Sequence, residues 1–304
     1  MSYSIVVVSW ECAEQVRALV ESMNAHLTGE RPELVVADNH SSDDPEAEAN
    51  EWSGETRFLQ IGFNAGFGAA TNAGVEIAAH EGVVMLNPDT RLLDAGLGSI
   101  AREAVDRNEL VGPRLLNEDG SPQPSASGPP VGPWPWVGAL VPGALAPTPI
   151  RARTEPWRLD RATEVAWLTG ACVAGPRDAL LSLGPFDPDI HLFAEDMDLG
   201  LRAAREGIRS RFCPELCSVV HLGGASTAVA LPEGTQRTIA ENRRAVIRDV
   251  YGERRERAAS RALRLNLRLR VIVKGLLRRD AERERAELDA TRAAIAAAEP
   301  PERG

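Results

Sequence analysis

The sequence has no stretch approaching the roughly 20 consecutive apolar residues that a bilayer-spanning helix needs. Nor is an export leader expected, since Met1-Ser2-Tyr3 runs straight into a strand-like segment with no basic or apolar leader pattern. Both absences point to a cytoplasmic protein. Cysteine is scarce. Cys12, Cys172, Cys213 and Cys217 are the four present, none forms Cys-x-x-Cys, and the Cys213 to Cys217 spacing suits zinc poorly with no second ligand pair nearby. Reduced, structural thiols are expected. Positive charge is not in excess: a net charge of -10 over 304 residues argues against a nucleic-acid binder, although the region after Arg237 is locally basic. A third glycine is missing from Gly66-Phe67-Gly68-Ala69-Ala70-Thr71, which also follows a third strand instead of the first. That departure from the dinucleotide-binding fingerprint disfavours a nicotinamide or flavin site, and with it a dehydrogenase.

What is present is an α/β pattern. Ser4-Ile5-Val6-Val7-Val8 is a continuous β-branched run, expected of a strand covered on both faces, and Val16, Leu19, Val20 and Met23 follow at helical spacing. Leu34 to Ala37 and Val83 to Leu86 repeat the strand pattern, Arg57 to Gln60 is a shorter third strand, and Ala69 to Ala79 is expected to be helical. Such alternation predicts a mostly parallel sheet. Ligands bind such sheets outside the carboxyl ends of their strands. The segments that follow the strands are polar: Ser9 and Glu11, Asp38 to Asp43, Asn64 to Gly68, and Asn87-Pro88-Asp89-Thr90. Each alone would serve as a loop or cap. Four on one edge make a site for an anionic ligand and its metal. The glycines allow close backbone approach at the start of a helix whose N-terminus can face phosphate.

Further along, Phe193-Ala194-Glu195-Asp196-Met197-Asp198-Leu199 sets three carboxylates in an apolar frame. Buried carboxylates must be paired, bound to a cation or shifted in pKa. The helical pattern from Asp196 to Ala204, with Gly207 as a stop, explains Asp198 as the i,i+4 partner of Arg202. Asp196 would sit in the positive field of the helix start, which favours the ionised form a general base needs.

Taken together, these segments resemble the family 2 glycosyltransferases of GT-A fold, and the rhamnosyltransferase branch in particular. The likeness runs from about Ser4 to Thr227, and rests on the order and spacing of its parts. These are Ile5 to Ser9, Val36 to Asp43, Asn64 to Gly68 with Asn72-Ala73-Gly74, Leu86 to Thr90, Gly112-Pro113-Arg114 through Ala126, Leu168 to Cys172, Gly184 to Asp187, Glu195 to Leu199 and His221 to Thr227. The resemblance implies an α/β GT-A fold, Rossmann-like with a mostly parallel central sheet, and a C-terminal helical extension. It implies an inverting, metal-dependent transfer of L-rhamnose from dTDP-L-rhamnose to a polyprenyl-diphosphate-linked or other cell-envelope glycan. The rivals are the same fold with a UDP- or GDP-linked donor, and a nucleotide-sugar-binding protein without catalysis. Carried over by position, Ser9, Asp38, Asn64, Gly66, Asn72 and Asn87 would hold the nucleotide sugar. Asp89, with His221, would hold Mg2+ or Mn2+, and Asp196 would be the base. Two departures stand out: Asn87-Pro88-Asp89 offers one carboxylate where many relatives carry Asp-x-Asp, and His191-Leu192-Phe193-Ala194 replaces a more aromatic run before the base.

Gly128 to Pro149 is rich in proline and glycine, nearly uncharged, and expected to be a long loop. Its Trp134 and Trp136, with Glu195, are candidates for acceptor contact or support, the loop facing the acceptor's lipid or the membrane, or packing on the sheet. Arg261 to Arg279 holds seven basic residues and no acidic one. On a helix, Leu265, Leu269, Ile272, Val273, Leu276 and Leu277 would share one arc, while the Leu263 to Val273 alternation also permits a strand. Basic amphipathic helices lie on anionic membrane surfaces, so a peripheral place at the inner face of the cell membrane is expected, against packing on the catalytic domain. The expected divisions are a glycosyltransferase domain over 1–228 (nucleotide half 1–110, acceptor half 111–228), a basic helical region over 229–280 and a flexible polar tail over 281–304.

Overall fold

The computed structural model describes residues 2–141, 143, 145–187, 190, 193–223 and 234–298. His191, Leu192 and the Gly224 to Thr227 end of the last motif lie outside the described residues. Two compact units divide the chain: Met1–Ser127 with Pro156–Ala230, and Gly128–Glu155 with Leu231–Gly304.

In the first unit the strands are β1 (Tyr3–Ser9), β2 (Glu33–Asp38), β3 (Thr56–Gln60), β4 (Gly82–Leu86), β5 (Thr90–Leu92), β6 (Leu110–Gly112), β7 (Arg114–Leu116), β8 (Ala126–Ser127), β9 (Thr163–Val165), β10 (Trp167–Leu168), β11 (Cys172–Pro176), β12 (Ser210–Phe212) and β13 (Ser218–His221). Eight form one sheet in the order β3-β2-β1-β4-β11-β6-β12-β9. β1 is parallel to β2 and β4, β2 to β3, and β6 to β12, whereas β11 and β9 run against their neighbours. The sheet is therefore mostly parallel, as the alternating pattern predicts. β1, β2 and β4 are buried along their whole length, which is why their sequences are unbroken apolar runs, and the edge strand β3 is half exposed.

Successive side chains go to opposite faces. Ile5, Val7, Leu34 and Val36 join Val16, Leu19, Val20 and Met23 of α1 (Ala13–His26) and Leu97 and Ile100 of α4 (Leu97–Arg107). Val6, Val35, Val83 and Met85 join Val75 of α3 (Phe67–Ile77), Leu180 of α7 (Arg177–Leu183) and Leu199 of α8 (Glu195–Arg205). Each such side chain fully buried is worth on the order of 1.5–3 kcal/mol, so the two layers hold the sheet from both sides. α2 (Pro45–Ala49) covers the β2 side of α1. α3 begins two residues before the expected Ala69, because Gly66, at φ 86°, turns the chain into it. The four cysteines are buried and unpaired. Burial pushes the Cys213 thiol up to about 12 and raises Cys12, Cys172 and Cys217 as well.

The second unit corrects two expectations. Gly128 to Pro149 is not one loop: α5 (Trp134–Leu140) occupies it, and α6 (Thr148–Thr154) begins within it. Four of its seven prolines sit at the starts of these helices, Pro133 and Pro147 as caps and Pro135 and Pro149 in the first turn, where a missing N–H removes no helical bond. α9 (Thr235–Tyr251), α10 (Glu253–Leu276) and α11 (Glu282–Ala298) pack on one another, and α5 packs on α10. The 263–273 segment is thus helix and not strand. The expected flexible tail is likewise helix as far as Ala298, with Ala281, Leu288, Thr291 and Ala294 buried and Glu284 bonded to Lys274. No helix of the described residues is long and apolar enough to cross a membrane.

Candidate active site

Parallel pairing aligns three strand ends. Ser9 lies opposite Asp38, Asp38 opposite Gln60, and Val7 opposite Leu86, so the Asn87-Pro88-Asp89 turn leaves the sheet on the same edge. Asp38 is buried, and its carboxylate accepts from the backbone N–H of Ser41 at 2.9 Å, from the Ser41 hydroxyl and from Gln60 Nε2 at 3.0 Å. Ser9 is buried beside it. Glu11 accepts from the N–H and hydroxyl of Ser42, tying the loop after β1 to the loop after β2. Asn39 bonds Ala65 N–H and Gly66 C=O, and Asn64 accepts from Gly66 N–H at 3.0 Å, which sets the glycine turn against this edge. Asn72 has a task beyond the expected one: its amide donates to Phe186 C=O at 2.8 Å and accepts from Phe186 N–H at 2.9 Å, clamping the Gly184 to Asp187 turn to α3.

Asp89 and His221 come together because β5 pairs with β13, with Thr90 opposite His221. His221 Nε2 lies 3.5 Å from Asp89 Oδ1 and from Asn87 Nδ2. Gln123, 98 residues away in sequence, donates from Nε2 to His221 C=O at 2.6 Å, which leaves its Oε1 to accept from His221 Nδ1–H at 3.0 Å. That orientation puts the ring proton on Nδ1 and a lone pair on Nε2, facing Asp89. Asp89 Oδ1 and Asn87 Oδ1 are both buried without a hydrogen-bond partner. Orphaned acceptors beside an imidazole lone pair require a cation or a donor, so these residues fit a divalent metal. Among the described residues no group of three His, Cys, Asp or Glu side chains could hold one. Further ligands would have to come from the donor's phosphates or water.

α8 supplies the carboxylate cluster. Phe193 and Ala194, at φ 69° and 72°, hold two consecutive non-glycine residues in the left-handed region just before it, a conformation costing on the order of 1–2 kcal/mol each and concentrated at functional sites. Asp196 accepts from Gly170 N–H at 3.1 Å and Met197 N–H at 2.6 Å. Two N–H donors suit a group that must be negative before it takes a proton. Glu195 is its opposite: burial first, and then the neighbouring Asp196 carboxylate, push its pKa up to about 8, and its Oε2 is buried without a partner. Asp198 pairs with Arg202 at 2.6 Å, as its spacing predicts, and Arg202 also donates to the carbonyls of Leu183, Gly184 and Pro185.

One peptide link joins the two halves of the site. Gly170 N–H reaches Asp196, and the next residue's carbonyl, Ala171 C=O, accepts from Asn87 N–H at 3.0 Å. The structure thus groups Asn87, Asp89, His221 and Asp196 around Gly170-Ala171, with Ser9, Asp38, Asn64 and Gly66 along the adjoining strand ends. Trp134 and Trp136 lie on α5, in the second unit. Sequence reasoning missed Gln60 and Gln123. Gln60 could have been found, since it ends β3 on the same edge; Gln123 carries no local signal.

Known proteins resemble the chain in sequence and in fold. The model of glycosyl transferase family 2 matches residues 4–134, and that of glycosyl transferase family group 2 matches residues 158–278. The chain is 29% identical over 248 residues to the N-acetylglucosaminyl-diphospho-decaprenol L-rhamnosyltransferase of Mycobacterium tuberculosis, covering 73% of this chain and 76% of that protein. Among solved structures, GalNAc-T7 with UDP, GalNAc and Mn2+ aligns with a TM-score of 0.59 at 19% identity, over 81% of this chain and 48% of that one. A mannosyltransferase from Pyrobaculum calidifontis in complex with GDP-Man and Mn2+ aligns with a TM-score of 0.56 at 15% identity, over 97% and 85%. Matched in sequence order by two glycosyl transferase family models, over 4–134 and 158–278, the chain is a glycosyltransferase of GT-A-like fold that resembles the family 2 enzymes.

Proposed function

We propose that the protein transfers L-rhamnose from dTDP-L-rhamnose to a polyprenyl-diphosphate-linked glycan, with inversion at the anomeric carbon, at the inner face of the cell membrane. Residues 1–110 hold the nucleotide and 111–228 the acceptor, apart from Gly128–Glu155, which groups with the second unit. The observation carrying this reading is the Gly170-Ala171 link, which ties the turn of Asp89 to the start of the helix that bears Asp196. Donor and acceptor follow the likeness to the mycobacterial enzyme, whose own name states a lipid-linked acceptor and L-rhamnose.

Asp38, held by three donors, keeps an acceptor oxygen fixed for the base or ribose, and Ser9, Asn64 and Gly66 line the approach of the diphosphate. Asp89 and His221, with Asn87 beside them, would hold Mg2+ or Mn2+. Such an ion neutralises charge on the departing diphosphate. Asp196 takes the proton of the acceptor hydroxyl as that oxygen bonds to the anomeric carbon and the bond to the nucleoside diphosphate breaks. Glu195, neutral beside it, keeps a second negative charge away from the base and supports the acceptor side. The basic stretch 261–279 is assigned to the anionic membrane surface where the acceptor resides.

Asp196→Asn tests the assignment. It should lower transfer by at least about 10²-fold, the scale of general-base catalysis, while calorimetry shows Mn2+-supported binding of the nucleoside diphosphate unchanged. Retained turnover removes Asp196 from this role. A panel of dTDP-, UDP- and GDP-sugars tests the donor, and preference for a UDP- or GDP-sugar would replace dTDP-L-rhamnose without touching the mechanism.

A further inference from the structure

We infer that the second unit docks on an anionic lipid bilayer by inserting apolar side chains of α5, Leu145 and the C-terminal end of α10, with arginines holding the rim. The inference names how the membrane surface in the preceding reading is contacted. It depends on that reading only for the purpose of the contact.

Nine large apolar side chains are well exposed among the described residues, and seven of them are in this unit, against Phe63 and Leu93 in the other. Contiguous apolar surface left open by a folded chain marks an interaction site. Five of the seven stand on α5 and α10, which pack on each other. Asn266 donates to Gly138 C=O at 3.0 Å, and one turn further along α10 Arg270 pairs with Glu155 at 3.6 Å. A side chain on Gly143 would collide with that same Glu155 carboxylate. Gly138 is thus held at Asn266 of α10, and Gly143 beside the carboxylate that pairs with Arg270. Leu140, exposed at 65%, stands between these two glycines in the chain and Leu145, exposed at 80%, two residues after the second, while the next turns of α10 present Ile272, Val273, Leu276 and Leu277. Leu276 is 79% exposed.

Charge selects the occupant. Glu155 and Glu284 take Arg270 and Lys274, but Arg268, Arg278 and Arg279 are exposed, and no acidic residue lies between 261 and 279. In a chain of net charge -10 a basic segment interleaved with open leucines matches a surface that is negative outside and apolar within. Anionic lipid headgroups over acyl chains have that profile. Trp136, half covered on α5, suits the boundary between them.

The test uses the full chain with vesicles of phosphatidylcholine, with and without phosphatidylglycerol, in the absence of acceptor lipid and nucleotide sugar. Sedimentation should show binding that needs phosphatidylglycerol and survives in part at high salt. A Leu276→Ser, Leu277→Ser pair should weaken it at least roughly tenfold, since two leucines that docking would bury are removed. Leu140→Ser should weaken it less, and Arg278→Gln with Arg279→Gln should remove the salt-sensitive part. All five positions are exposed, so circular dichroism should be unchanged. Binding that vanishes entirely with salt, or leucine variants that bind as the parent does, overturns the inference. So does loss of self-association in the leucine pair without any change in vesicle binding, which would make a second copy of the chain the occupant. A parent chain that ignores vesicles yet glycosylates a lipid-linked acceptor in detergent sinks the docking alone. One that docks but transfers no sugar sinks the function alone.

Discussion

Glu195 and Asp196 are neighbours in the chain whose carboxyls live in different surroundings, one buried with an orphaned oxygen, the other facing two N–H groups. The raised Glu195 pKa, about 8, carries a sign for stability. Between the ordinary carboxylate value and about 8 the unfolded chain has lost a proton that the folded chain keeps. Stability from this group is therefore full at acid pH, falls as pH rises through that window, and levels off above it. Glu195→Gln, a neutral isostere, escapes the loss. Its melting temperature relative to the parent should climb from about pH 5 to about pH 8, and a constant difference across that range would mean Glu195 does not titrate as inferred. Gln123 offers the second test at this scale. Gln123→Leu frees His221 Nδ1, and outer-shell partners of this kind are worth 10–100-fold in metal affinity. Mn2+-dependent binding of nucleoside diphosphate should weaken by about that factor, with a tautomer change visible in the ring nitrogen spectrum of His221. If neither moves, His221 has no part in holding metal.

At the scale of elements, glycines report how closely helices are seated. A Cβ on Gly200 of α8 would meet Trp167 Cβ at 2.5 Å and its Cα at 2.8 Å, whereas one on Gly275 of α10 meets nothing within 4 Å. Alanine at a helix interior ordinarily gains about 1 kcal/mol over glycine, but overpacking against backbone costs about 1–3 kcal/mol. Gly275→Ala should raise the melting temperature. Gly200→Ala should lower it and reduce transfer too, because α8 would shift Asp196 from Gly170; equal behaviour of the two variants would show that α8 has room to move. The elements also show what the sequence could tell. β1, β2 and β4 were legible because burial on both faces leaves an unmistakable apolar run, and α8 because its acids, leucines and Gly207 obey one periodicity. α5 was hidden by its prolines, which signal a break unless one knows that they stand in a first turn. α11 was hidden by a seam of alanines with a single leucine, too small a pattern to separate a packed helix from a loose one.

At the scale of the whole molecule, the site was half legible. Asp38, Asp89 and Asp196 each carry a local signature, a strand end or a helix start. What joins them does not: the His221 to Gln123 pairing and the Gly170-Ala171 link span sequence distances at which no local pattern exists, and only the folded chain brings them into reach. The division into units was equally opaque, because Gly128–Glu155 leaves the sheet and returns, grouping with helices more than a hundred residues later. One property of the folded chain as a whole has a practical side. Its four thiols are buried and held in the protonated form by that burial, so the native protein offers a spin label or a fluorescent maleimide almost nothing to attack. A cysteine placed at Leu140, Leu145 or Leu276 would be the reactive thiol in the molecule, and paramagnetic relaxation from it would measure, ångström by ångström, how deep each position sits below the lipid phosphates without any native cysteine having first to be removed.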